Sequence, residues 1–80
     1  METSWAERRT GVKRYLIVIE QAGENLSAFS PDLPGCVATG STRSEVEANM
    51  PAAIRMHIEG LTEDGLPVPD PAAETEYVVV

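Results

Sequence analysis

Val12-Lys-Arg-Tyr-Leu-Ile-Val-Ile-Glu20 holds the densest apolar run of the chain. β-branched and aromatic side chains of this kind fit a pleated, buried surface better than a helix. Alternation puts Tyr15, Ile17 and Ile19 on one face and Leu16 and Val18 on the other. Both sets are apolar, so a strand over about residues 12–20 is expected to be covered on both faces and to lie inside a sheet.

Downstream, Gln21-Ala-Gly-Glu-Asn25 is rich in turn formers and predicts a hairpin into a second strand over about 25–30. Pro31 and Pro34 cannot donate to a ladder and close that strand. Cys36-Val-Ala-Thr39 reads as a third strand, ended by Gly40. Short turns between three strands give an antiparallel meander.

Thr42 followed three residues later by Glu45 is a capping box. Beyond it Val46, Met50, Ala53, Ile54, His57, Ile58 and Leu61 recur at helical spacing, and Gly65 with Pro67 marks a stop. A helix over about 43–63 follows. Pro51 removes one of its hydrogen bonds, which leaves one kinked helix or two short ones; the apolar stripe stays in phase through it and favours one. Leu66-Pro-Val-Pro-Asp-Pro71 is a polyproline-like connector, and residues 75–80, with Tyr77-Val-Val-Val80, have strand composition. Residues 1–11, with Trp5, read as a flexible lead-in to a single domain over 12–80.

The expected fold is α+β, β-β-β-α-β: a mixed four-stranded sheet with one helix on one face. The last strand lies parallel beside the first through a right-handed crossover. One helix covers one face only. Leu16 and Val18 on the other face invite a second copy, as a homodimer or tetramer.

Eighty residues suit one domain with a thin core, and 42% hydrophobic with 24% charged residues is an ordinary globular balance. A formal charge of −7 repels nucleic acid and favours encounter with basic proteins. No apolar run approaches the roughly 18 residues of a membrane span, and the charged stretch Met1 to Arg14 lacks a signal-peptide core, so a cytoplasmic location is expected.

Cys36 stands alone, which excludes an internal disulfide and a cysteine zinc frame and fits a small core residue. His57, the single histidine, sits in the helix stripe, where a core or interface role outweighs catalysis. There is no phosphate-binding glycine loop and no supported nucleophile set. A two-metal nuclease needs a carboxylate from the middle of the first strand, and Tyr15 to Ile19 has none. No catalytic residue, metal site or cofactor is expected. Phe29-Ser-Pro-Asp-Leu-Pro-Gly-Cys36 is a corner whose shape is largely set by two prolines and a glycine, either a rigid strand connection or a preorganised contact surface.

The ordered series Tyr15 to Glu20, Ser30 to Cys36, Gly40, Thr42 to Glu45, Ala53-Ile54, Glu59 and Glu63-Asp64-Gly65 through Pro69 resembles the HicB antitoxins of bacterial toxin–antitoxin pairs. The resemblance covers about residues 13–71. It implies a trimmed RNase-H-like unit without catalytic carboxylates. The implied activity is binding of a small basic HicA-like toxin, an mRNA-cutting ribonuclease using a histidine, whose active site it masks. Many HicB proteins continue into a DNA-binding segment that these residues do not include, so direct DNA binding is not expected from them. Expected partner-contacting residues are Pro31, Asp32, Leu33, Pro34 and Gly35 at the corner and Glu59, Glu63 and Asp64 near the helix end. The rival reading is an orphan HicB-like oligomeric scaffold without a toxin.

Overall fold

The computed structural model describes residues 13–80. The lead-in read over 1–11, and Val12 of the first strand, lie outside the described residues. Three strands, β1 (Val18–Ala22), β2 (Asn25–Phe29) and β3 (Val37–Gly40), precede one helix, α1 (Arg43–Glu63). The sheet is antiparallel with order β1-β2-β3, and α1 packs mainly on β2 and β3. The fold is therefore α+β, as expected, but among the described residues it has three strands.

The first strand is shorter at its start and longer at its end than its composition predicts. Val18 pairs with Phe29, the last residue of β2, so residues 13–17 lie outside the β1–β2 ladder. Ser30 and Pro31 turn the chain away there. At the other end Ala22 pairs with Asn25 across a two-residue turn, which draws Gln21 and Ala22 into the ladder. Gly23 opens that turn with φ of 64° while Glu24 keeps a negative φ, the pattern of a II′ hairpin.

β2, not β1, is the central strand. The row Ile19, Ala28, Ala38 faces the helix, and Ala28 is fully buried. Leu33, Cys36, Val46 and Met50 complete the core, with Tyr15, Ile17 and Ile19 packed against it as the alternation predicts. The opposite face carries the row Val18, Phe29, Val37, which the helix does not cover. Leu16 and Val18, the expected oligomer face, are both half-buried.

α1 is one helix through Pro51. Pro51 and Glu47 are exposed, so water can take the carbonyl that the proline leaves free. Thr42 Oγ1 accepts from the Glu45 N–H at 3.1 Å, while Glu45 reaches back to the Ser41 N–H at 2.8 Å, one residue earlier than a capping box requires. At the far end Gly65 N–H donates to Thr62 O and Leu66 N–H to Leu61 O, a Schellman closure.

Residues 75–80 form no strand. Tyr77, Val78, Val79 and Val80 are 98%, 79%, 96% and 115% exposed. The edge of β1 expected to receive them is empty among the described residues.

Candidate functional site

Two reverse turns shape the corner. Leu33 N–H donates to Ser30 O at 3.1 Å, and Cys36 N–H donates to Leu33 O at 3.0 Å. The flanking prolines thereby drive Leu33 inward, and it is 0% exposed. Leu33 anchors the corner in the core and presents nothing to a partner. Gly35 completes the second turn with φ of 88°, a backbone conformation that L side chains rarely adopt. Pro31, Pro34 and Gly35 are left on the surface.

Asp32 serves the fold itself, since its Oδ2 accepts the Ala73 N–H at 3.1 Å. The connector is held twice more, by Tyr15 Oη donating to Pro69 O at 2.6 Å and by Lys13 Nζ on Asp70 Oδ1 at 3.1 Å. The bond to Asp70 and its charge hold the Lys13 ammonium above its ordinary range.

Between the corner and α1 lies an open groove of about 470 Å³. Gly35, Cys36 and Val37 form one wall. Ala53, Met56, His57, Gly60, Leu61 and Asp64 form the other. The structure thus brings together two expected contact residues from opposite parts of the sequence, Gly35 and Asp64. Glu59 and Glu63 are exposed on the same helix but do not line the groove.

Val37 and Met56, 54% and 71% exposed, are not singled out by the sequence reading. Met56 falls beside the apolar stripe of α1 and not in it. A large apolar side chain just off a buried stripe is the signal that marks it.

The electrostatics of the groove follow from the helix. Its Asp64 end is the C-terminus of α1, where the aligned peptide dipoles leave partial negative charge. The last turn has no basic residue, and Glu63 and Asp64 add two carboxylates there. The groove therefore combines an apolar wall with a negative end, a setting for a side chain with an apolar stem and a cationic head. Burial pushes the Cys36 thiol up, which keeps it protonated and unreactive. Among the described residues no group of three or more His, Cys, Asp or Glu side chains could hold a metal ion, and no helix is long and apolar enough to cross a membrane.

Known proteins give this geometry a context. A solved HicA3 and HicB3 toxin-antitoxin complex contains a chain that superimposes with a TM-score of 0.66 at 33% identity, over 75% of this chain and 70% of that one. An uncharacterized 14.9 kDa protein of the rep-hol intergenic region of Haemophilus phage HP1 (strain HP1c1) is 38% identical over 64 residues, 80% of this chain. The chain spans about half the length of that relative, 48%. The family model for the HicB-like antitoxin of bacterial toxin-antitoxin systems matches residues 15–79. That match takes in the three strands, the corner, the whole of α1 and the connector, and the chain belongs to the HicB-like antitoxin family.

Proposed function

We infer that this chain is an antitoxin module that captures a small basic HicA-like ribonuclease toxin and neutralises it by covering its active site, with no catalysis of its own. The observation that carries this reading is the uncompensated negative end of α1 opening onto an apolar groove. Acidic residues in a last helical turn are locally unfavourable, by about 0.3–1 kcal/mol each, so their presence points to a use outside folding. A Lys or Arg of the toxin seats its stem against Met56 and Ala53 and its head beside Asp64. Gly35 lines the groove and Pro31 and Pro34 are exposed on the same corner, which Asp32 and Leu33 hold in place. The three-stranded sheet with a free β1 edge is what an RNase-H-like unit presents when its fourth strand is not docked.

The test mixes the purified chain with a HicA-like toxin and measures co-elution and RNA cleavage. Stoichiometric complex formation with loss of cleavage supports the reading. Absence of both removes it. The rival is an orphan scaffold, favoured by the uncovered row Val18, Phe29, Val37. It requires that no short basic, histidine-containing reading frame lie beside this one.

A further inference from the structure

We propose that residues 77–80 of one copy add as a parallel fourth strand to the outer edge of β1 in a second copy, each copy giving a strand and receiving one. This inference is independent of the toxin reading. It starts from which backbone groups are free. The two-residue turn makes Ala22 and Asn25 a hydrogen-bonded pair, so alternation turns the backbone groups of Val18, Glu20 and Ala22 toward β2. Ile19 and Gln21 therefore point theirs outward. The same alternation across the sheet turns Thr39 of β3 outward, and there Asn49 Nδ2 donates to Thr39 O at 2.9 Å. Among the described residues the β3 edge is thus partly capped, while nothing takes the outward groups of Ile19 and Gln21.

The donor segment is equally unpartnered. Tyr77-Val-Val-Val80 is strongly β-forming, and its side chains are 79% to 115% exposed. At about 3.3 Å per residue four residues cover roughly 13 Å, enough to pair with both Ile19 and Gln21.

Its own β1 is not where the chain is heading. Tyr15 and Lys13 fix Pro69 and Asp70 beside the upstream extension of β1. Asp32 then fixes Ala73 at the corner that follows β2. The connector crosses the end of the sheet from its outer strand toward its centre, so residues 74–80 set out from the corner and not from the β1 edge of the same copy. A second copy related by a two-fold axis removes the conflict, because reciprocal exchange satisfies both edges and closes the assembly.

Charge sets the direction. Lys13 and Arg14 lie before β1, and Glu20 and Glu24 lie at its far end. Glu74 and Glu76 precede the donor strand. Parallel addition brings Glu74 and Glu76 toward the basic end, whereas antiparallel addition stacks carboxylates on carboxylates.

The experiment measures the mass of the full chain in solution by light scattering, with two variants. Val79→Asp changes an exposed residue outside the core and cannot unfold the domain. Gln21→Pro removes one outward N–H while sparing the β1–β2 ladder. Wild type is expected at twice the single-chain mass and both variants at the single-chain mass, with unchanged helical circular dichroism. Slow amide exchange at Ile19, Gln21 and Val78 in the wild type alone is the matching local signature. A wild type at the single-chain mass overturns the proposal. So does a dimer that persists in both variants, which assigns the contact to another surface such as the Val18, Phe29, Val37 row.

Discussion

Asp32 Oδ2 accepts the Ala73 N–H across 41 residues of sequence, which makes the corner the anchor of the connector. A hydrogen bond to a charged acceptor is worth about 1.5–3 kcal/mol when sheltered, and less at this half-buried site. Asp32→Ala should therefore cost about 1 kcal/mol and speed amide exchange at Ala73, leaving α1 protected. Asp32→Asn keeps an accepting oxygen and should recover most of the protection. Equal exchange at Ala73 in all three proteins would show that the bond does not hold the connector.

Two glycines should respond oppositely to the same methyl group. A Cβ on Gly40 would lie 2.9 Å from Glu45 Cβ and 3.1 Å from the Val46 nitrogen, at the point where β3 meets the start of α1. That neighbour is partly backbone and cannot yield, so Gly40→Ala should destabilise by about 1–3 kcal/mol. A Cβ on Gly60 meets nothing within 4 Å, and its backbone is helical. Gly60→Ala should stabilise by about 0.5–1 kcal/mol. Chemical denaturation of the two variants checks the pair.

Ser30 is 2% exposed and its hydroxyl finds no partner among the described residues. An unpaired buried hydroxyl carries a desolvation penalty of about 1–3 kcal/mol that no hydrogen bond returns. Ser30→Ala should thus leave stability unchanged or raise it by up to about 1 kcal/mol. A clear loss in thermal unfolding would mean that the hydroxyl is bonded in solution.

Glu45 connects pH to the start of the helix. The Ser41 N–H and hydroxyl hold its carboxyl below the ordinary value of 4.5. A carboxylate with a lowered folded pKa contributes stability that is fully present above the unfolded value and is lost as pH falls through the folded one. Fraying at Ser41–Val46 should therefore begin only below about pH 4.5. Glu45→Gln should remove this acid-dependent step while leaving the rest of the acid transition in place. Amide shifts of Ser41 and Glu45 followed by NMR across that range give the readout.

What could be read in advance divides along physical lines. The helix was legible from Arg43 to Glu63, because stripe, Thr42 cap and Gly65 stop are all local features of the chain. The start of β1 was not, since residues 13–17 have strand composition but the partner strand ends at Phe29. Pairing is a property of two segments, and composition speaks for one. Tyr77 to Val80 fail to form a strand for the same reason. At the groove, Gly35 and Asp64 were marked by a constrained corner and an acidic helix end. Their approach depends on how α1 lies across β3, which no spacing encodes. Leu33, expected at the contact surface, points into the core, because the turn bonds that Ser30 O and Leu33 O accept fold the corner inward.

The acidic end of α1 offers the sharpest separation of folding from binding. Glu63 is exposed in a last turn without basic residues, so it meets the helix dipole unfavourably, and Glu59 lies one turn before it. Glu63→Lys reverses the dipole interaction and pairs the new ammonium with Glu59 at i, i+4. Together these should stabilise the free chain by about 0.5–1 kcal/mol, which for a domain of this size raises Tm by about 2–8 °C. The same substitution places a cation beside Asp64, where a basic toxin is proposed to seat its own. Association with the toxin should then slow, most strongly at low salt, since steering by charge is screened as ionic strength rises. A Glu63→Lys variant that melts higher yet binds more slowly identifies this helix end as a surface kept acidic for its partner. A variant that melts higher and binds as fast as the wild type moves the contact surface off this end of α1.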